Sequence, residues 1–175
     1  MRPAIFGIVG WKNSGKTTLT ARLIGEFCAR GYKVAAVKHA SHGFDVDHPG
    51  RDSYRFREAG AREIAVVSPK RVAIMQELRG EAEPDLDEVL ARLQGSELIL
   101  IEGFKTRDHP KIEARRRDGA STDPIAGAMP GVVAIAADHP TETGGLALFG
   151  LDDIKAIADF ITAYTGLEMR DSAPR

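Results

Sequence analysis

Residues 10–17 read GWKNSGKT and satisfy G-x-x-x-x-G-K-[ST] at every fixed position. No other stretch restricts the fold as strongly, because the pattern works only between a buried strand and the first turn of a helix. Both flanks are present. Residues 3–9 (PAIFGIV) form a short apolar run that predicts a buried strand. Residues 16–30 carry Leu19, Leu23 and Phe27 at helical spacing, with Ile24 and Cys28 beside them, and Gly31 is placed to end the helix. The two glycines let the backbone curl so that successive N–H groups face one anion, and the helix adds its positive N-terminal end. In that frame Lys16 reaches the β- and γ-phosphates of a nucleotide, and the Thr17 hydroxyl ligates Mg²⁺.

The next segment, 33–37 (KVAAV), reads as a second strand, so the chain opens β-loop-α-β, the start of a parallel α/β fold. Residues 38–53 are polar, rich in His and Asp, and lack periodicity. A short helix over 53–59 follows and ends at Gly60. Residues 62–68 and 71–77 predict an antiparallel hairpin turning at Ser68-Pro69-Lys70. From Pro84 a helix carries Leu86, Val89, Leu90 and Leu93 on one stripe and stops at Gly95. Residues 97–101 (ELILI) and 131–137 (GVVAIAA) are buried strands, and 105–130 is loop with one strand over 111–115. Asp152 and Asp153 cap a last helix that turns Ile154, Ile157, Ala158 and Ile161 inward. The expectation is a three-layer α/β phosphate-loop NTPase fold with a mostly parallel sheet and an antiparallel hairpin extension. Residues 1–167 form a single GTP-binding domain in this reading, and 168–175 a frayed tail.

Further site candidates follow from position. Strand 97–101 runs into Glu102-Gly103-Phe104-Lys105. An acid at a strand end beside the phosphate loop holds Mg²⁺ or positions water, so Glu102 takes that role, with Gly103 letting backbone approach the γ-phosphate. Lys105 is placed either to contact phosphate or to sit in solvent. The loop after the second strand opens at the same sheet edge. Within it Asp47 is the Mg²⁺ candidate, and Arg51 either pairs with Asp52 or binds phosphate. His39 and His42 have a spacing legal for zinc. The guanine-reading N-K-x-D is absent, since the one asparagine is Asn13. Strand 132–137 nevertheless ends at Asp138, whose carboxylate can accept the N1–H and N2–H donors that distinguish guanine.

Charge narrows the partners. The net charge is −1, which argues against bulk nucleic-acid or membrane binding. It is unevenly spread: residues 1–44 hold seven Lys/Arg and one acid, Glu26. An anion received at the N-terminal part accounts for that asymmetry. The single Cys28 leaves no partner for an internal disulfide and fits a reducing compartment. With a leading apolar run too short for a signal peptide or a membrane span, a cytoplasmic location is expected.

Together GIVGWKNSGKTTL, HGFDVDHPGRDSYRFREAGA, LILIEGFK and PKIEARR resemble the MobB family of molybdopterin-guanine dinucleotide biosynthesis adaptor proteins, over about residues 4–165. The resemblance implies a GTP-binding homodimer with a phosphate-loop α/β fold and slow GTPase activity. It implies action late in molybdenum-cofactor synthesis, where GMP is attached to molybdopterin, with the guanylyltransferase of the pathway and other molybdenum-cofactor enzymes as partners. By position it makes Gly10, Trp11, Lys12, Asn13, Ser14, Gly15, Lys16, Thr17 and Thr18 the phosphate loop and Glu102 the strand-end acid. It also places Asp45, Asp47, Arg51 and Asp52 in the family's loop motif. GTP and Mg²⁺ are the implied ligands. Two alternatives share the phosphate loop. One is an ATP-dependent small-molecule kinase, with Arg115, Arg116 and Arg117 as a lid. The other is a metal-delivery GTPase using His39 and His42.

Overall fold

The structure is a computed structural model that describes residues 2–40, 43–121 and 123–171. In chain order its elements are β1 (Ala4–Val9), α1 (Lys16–Ala29), β2 (Val34–Lys38), α2 (Asp52–Glu58), β3 (Glu63–Ser68), β4 (Arg71–Gln76), α3 (Leu86–Ala91), β5 (Leu98–Glu102), β6 (Lys111–Arg115), β7 (Val132–Ala137), β8 (Ala147–Gly150) and α4 (Ile154–Thr165). They form two compact units, one of residues 1–39 with 92–175 and one of residues 40–91.

The larger unit is a six-stranded sheet in the order β2-β5-β1-β6-β7-β8, parallel throughout. Alternation along each strand sorts its side chains. Phe6, Ile8, Leu98, Leu100, Ile112, Ala114, Ala134 and Ala136 join one core with Leu19, Leu23 and Phe27 of α1 and Ile157, Ala158 and Ile161 of α4. On the opposite face, at Gly7, the His109 ring packs so closely that a Cβ there would lie 2.5 Å from Nε2. β1 is flanked by β5 on one side and β6 on the other, and the chain leaves it through α1 toward β2. This reversal of direction opens a crevice at the carboxyl ends of the strands.

The smaller unit holds α2, the hairpin and α3. β3 and β4 pair antiparallel from Glu63↔Gln76 to Ser68↔Arg71, and the Ser68 hydroxyl accepts the Arg71 N–H at 3.0 Å to close the turn. The expected α/β class, parallel sheet and antiparallel hairpin are thus present.

Local details depart from the sequence reading. β8 was not expected: four residues, ALFG, are too few to show a period, and pairing with β7 makes them a strand. α3 ends at Ala91, short of Leu93. Neither Asp152 nor Asp153 caps α4 with its side chain. Asp153 Oδ2 instead accepts the Gly150 N–H at 2.9 Å, and Asp152 pairs with Arg22 of α1. Residues 168–170, expected to fray, are tied down. Arg170 pairs with Glu97 at 2.8 Å and stacks over Tyr32, whose hydroxyl donates to the Glu168 carbonyl. Among the described residues no helix is long and apolar enough to cross a membrane.

Candidate functional site

The loop from Gly10 to Gly15 leaves the buried end of β1 and turns into α1. At Gly10 a Cβ would stand 2.2 Å from Ser14 Oγ and 2.6 Å from the Ala114 carbonyl oxygen, so only glycine fits. Asn13 (φ 65°) and Gly15 (φ 89°) take the left-handed conformation that makes the backbone curl; asparagine tolerates it best among non-glycine residues. The Ser14 hydroxyl is buried and has no hydrogen-bond partner among the described residues. An orphaned polar group inside a curl of backbone at a helix N-terminus is the arrangement an anion completes.

Two side chains define the chemistry. Lys16 Nζ lies 2.5 Å from the carbonyl oxygen of Trp11, folded back across the loop. Its pKa is lowered, chiefly by burial; Glu102 opposes the shift, while Lys105 and Lys38 reinforce it. Three ammonium groups close enough to influence one another repel until a polyanion arrives. Thr17 Oγ1 donates to Glu102 Oε1 at 3.0 Å, and Lys38 Nζ lies 3.4 Å from the same oxygen. The parallel register places Ile8 and Lys38 on either side of Glu102, which fixes that carboxylate at the sheet edge beside the phosphate loop. A hydroxyl and a carboxylate in contact are the hard oxygen donors Mg²⁺ requires. The residues present therefore fit the ion.

After Glu102 the backbone turns sharply. Gly103 has φ 100° and donates its N–H to the Ile8 carbonyl at 3.1 Å; Phe104 follows at φ 48° and places its ring 4.5 Å from the His39 ring. Lys105 then extends its ammonium over the Trp11 ring, 4.1 Å from the centroid. Trp11 Nε1 donates to the Asp123 carbonyl at 2.7 Å, and the Ala120 N–H donates to the Lys12 carbonyl at 2.9 Å.

The expected residues thus separate into groups. Gly10 to Thr18, Glu102, Gly103 and Lys105 come together. Asp138 stands at the end of β7 with its carboxylate engaged: Oδ1 accepts the Arg117 N–H and meets His139 Nδ1, both at 2.8 Å, and Oδ2 lies 3.7 Å from Arg116 Nε. Its pKa is lowered, first by the His139 hydrogen bond. Asp47 and Arg51 belong to the smaller unit. Asp47 is buried; Oδ1 accepts from the His48 N–H and the Ser53 hydroxyl, each at 3.0 Å, and Oδ2 has no partner among the described residues. Arg51 is exposed before α2. Asp45 forms a bidentate pair with Arg57 at 3.0 and 2.9 Å. His42 lies outside the described residues.

Sequence reasoning missed Lys38, whose place follows only from the crossover that sets β2 beside β5. It also left the arginine run undivided. Arg115 turns inward to Glu113, the Thr141 hydroxyl and the Glu142 carbonyl. Arg116 instead lies over the phosphate loop, its Nη2 3.6 Å from where a Cβ on Gly15 would be.

The model of the family described as molybdopterin guanine dinucleotide synthesis protein B, MobB, matches residues 5–138. Over 163 residues the chain is 39% identical to the molybdopterin-guanine dinucleotide biosynthesis adapter protein of Escherichia coli K12, covering 91% of this chain and 92% of that protein. The adapter protein of the same description from Haemophilus influenzae is 36% identical over 157 residues, 90% and 86% of the two chains. The crystal structure of Bacillus subtilis MobB superposes with a TM-score of 0.73 at 28% identity, covering 93% of this chain and 98% of that one.

Proposed function

Because the chain belongs to the family of molybdopterin guanine dinucleotide synthesis protein B, we propose that it is a GTP-binding accessory protein of molybdenum-cofactor biosynthesis, a slow GTPase that assists attachment of GMP to molybdopterin. The observation that carries the reading is the Thr17–Glu102 hydrogen bond at 3.0 Å beside a glycine-built curl whose Ser14 hydroxyl is unpartnered. Backbone N–H groups of residues 11–17 bind the phosphates, and Lys16 swings from the Trp11 carbonyl to the β- and γ-oxygens. Thr17 and Glu102 would hold Mg²⁺, whose charge would help neutralise the triphosphate. Lys38 and Lys105 add to the field that draws the triphosphate in. With most of the binding spent on holding the phosphates and none of these groups poised as a base on water, turnover by the protein alone stays far below about 1 s⁻¹, the unstimulated range. The guanylyltransferase of the pathway is the proposed partner, and Asp138 the proposed reader of guanine. Calorimetric titration with GTP, GDP and ATP, each with Mg²⁺, tests the reading. Selective GTP binding is expected; preference for ATP would replace it with the kinase alternative.

A homodimer is part of the proposal. β3 and β4 carry apolar residues on both faces. One face presents Val67, Val72 and Ile74, which are 72%, 62% and 69% exposed. A two-stranded hairpin is marginal alone in water, and an apolar face of this kind marks an association surface. A second copy of the chain covers it. Val72→Lys is expected to raise the dimer dissociation constant at least about tenfold, since it sets a charge in an apolar contact. Sedimentation equilibrium would read this, and an unchanged dimer would remove the hairpin from the interface.

A further inference from the structure

The PKIEARR stretch contains two charged residues, Lys111 and Glu113, that the nucleotide chemistry above does not use. Both lie on β6, the strand next to β1. Ile112 and Ala114 join the helix-side core, so Lys111 and Glu113 point to the other face. They are 0% and 1% exposed. A charge buried so completely persists only when hydrogen bonds replace the water it has lost. Each has three. The Lys111 ammonium has three protons and three carbonyl acceptors: Lys105 at 3.3 Å, Pro130 at 3.0 Å, and Arg107. Glu113 Oε1 accepts the Ile125 N–H at 2.9 Å; Oε2 accepts the Ala126 N–H and Arg115 Nη2, both at 2.8 Å.

The segments gripped by these two charges converge on one side chain. Lys111 holds the turn that carries Lys105, whose ammonium lies over the Trp11 ring. Glu113 holds the end of the segment whose Asp123 carbonyl accepts the Trp11 Nε1–H and whose Ala120 N–H donates to the Lys12 carbonyl. The Trp11 carbonyl in turn receives Lys16 Nζ. We propose that Lys111 and Glu113 are positioning residues that set the Trp11–Lys12 arm of the phosphate loop, and through it Lys16, one acting at the face of the Trp11 indole and the other at its Nε1 edge. Hydrophobic residues of the same size would fill the space. Opposite charges on alternate residues add direction: the cation gathers the Lys105 and Arg107 carbonyls before β6 and the Pro130 carbonyl before β7, and the carboxylate gathers the Ile125 and Ala126 N–H groups.

The inference rests on the nucleotide reading, and its test separates the two. Trp11 is the only tryptophan, so its emission reports the arm directly. Glu113→Gln keeps the size but leaves an amide NH₂ facing a backbone N–H. Its dissociation constant for a fluorescent GTP analogue is expected to rise about tenfold, the scale of one charge-assisted hydrogen bond lost. Trp11 emission shifts to the red as the indole gains water. Lys111→Met shifts it likewise. Trp11→Phe, at a half-buried loop site, keeps an aromatic ring and removes the Nε1–H contact to Asp123 and the strongest ring for Lys105; it weakens binding too. Combining it with Glu113→Gln is expected to add little beyond Glu113→Gln alone, because both act through one joint. A purely structural Glu113 would lower the melting temperature while folded protein bound nucleotide like the wild type. That outcome, or wild-type affinity in Trp11→Phe, or effects that multiply in the double variant, would overturn the proposal. If the unaltered protein bound no GTP, the nucleotide reading would fall instead, and the emission of Glu113→Gln would still decide whether the anchor holds the arm.

Discussion

Lys16→Ala is expected to weaken GTP binding at least about 100-fold, because two charge-assisted contacts to phosphate, each about 1.5–3 kcal/mol, go at once. The fold should bear the loss. The Lys16 ammonium is partly desolvated, which is why its pKa is lowered, and its protein acceptor is a single carbonyl, that of Trp11. Removing it relieves repulsion with Lys38 and Lys105 as well. Binding and stability should therefore part company. Calorimetry should show the affinity gone, and thermal unfolding without nucleotide should show little change. Affinity within threefold of wild type would mean the triphosphate sits elsewhere.

The second large effect is on stability against pH. His109 is buried against Gly7 and neither ring nitrogen has a hydrogen-bond partner among the described residues. Burial pushes its pKa down from 6.5 to about 4; the neighbouring Lys111 charge adds to this and Asp108 opposes it. Between those values the unfolded chain binds a proton that the folded chain refuses. Stability from the neutral ring is complete above pH 6.5 and drains away as pH falls toward 4. A displacement of that size corresponds to about 3 kcal/mol over the window. Urea unfolding of the wild type and of His109→Leu at pH 7.5, 6.5, 5.5 and 4.5 isolates this contribution, since the carboxylates titrate alike in both. The wild type should lose the extra stability between 6.5 and 4 and the variant should not. Parallel curves would show that the ring is hydrated or paired.

What could be read from the chain in advance follows the range of the interactions involved. The phosphate loop was legible because its strand, curl and helix lie within about 30 consecutive residues, the span of one strand–helix unit. Glu102 was legible because an all-apolar strand points at it. Lys38 was not, since its contact depends on β5 inserting between β2 and β1. Arg115 and Arg116 look identical in sequence, yet Arg115, the last residue of β6, turns to Glu113 and Arg116, just past the strand, lies over Gly15. Nothing in the strand pattern over 111–115 marks Lys111 and Glu113 as interior; only the loops folded over them make them so. His109, in a polar stretch, gave no apolar signal that it would pack on a glycine.

The order of strands has a consequence for synthesis on the ribosome. β1 is made first, yet both its neighbours come late: Ala4 pairs with Leu98, and Gly7 with Lys111. β2 also waits for β5. At about 5–20 residues per second, the strand AIFGIV emerges roughly 5–20 s before its partners exist. During that interval its apolar side chains have only α1 for cover, so the nascent chain passes through a sticky stage that ends when β5 and β6 arrive together. Assembly of the phosphate loop on its strand is thus a late event in the life of the nascent protein, timed by codons more than a hundred positions downstream of the first.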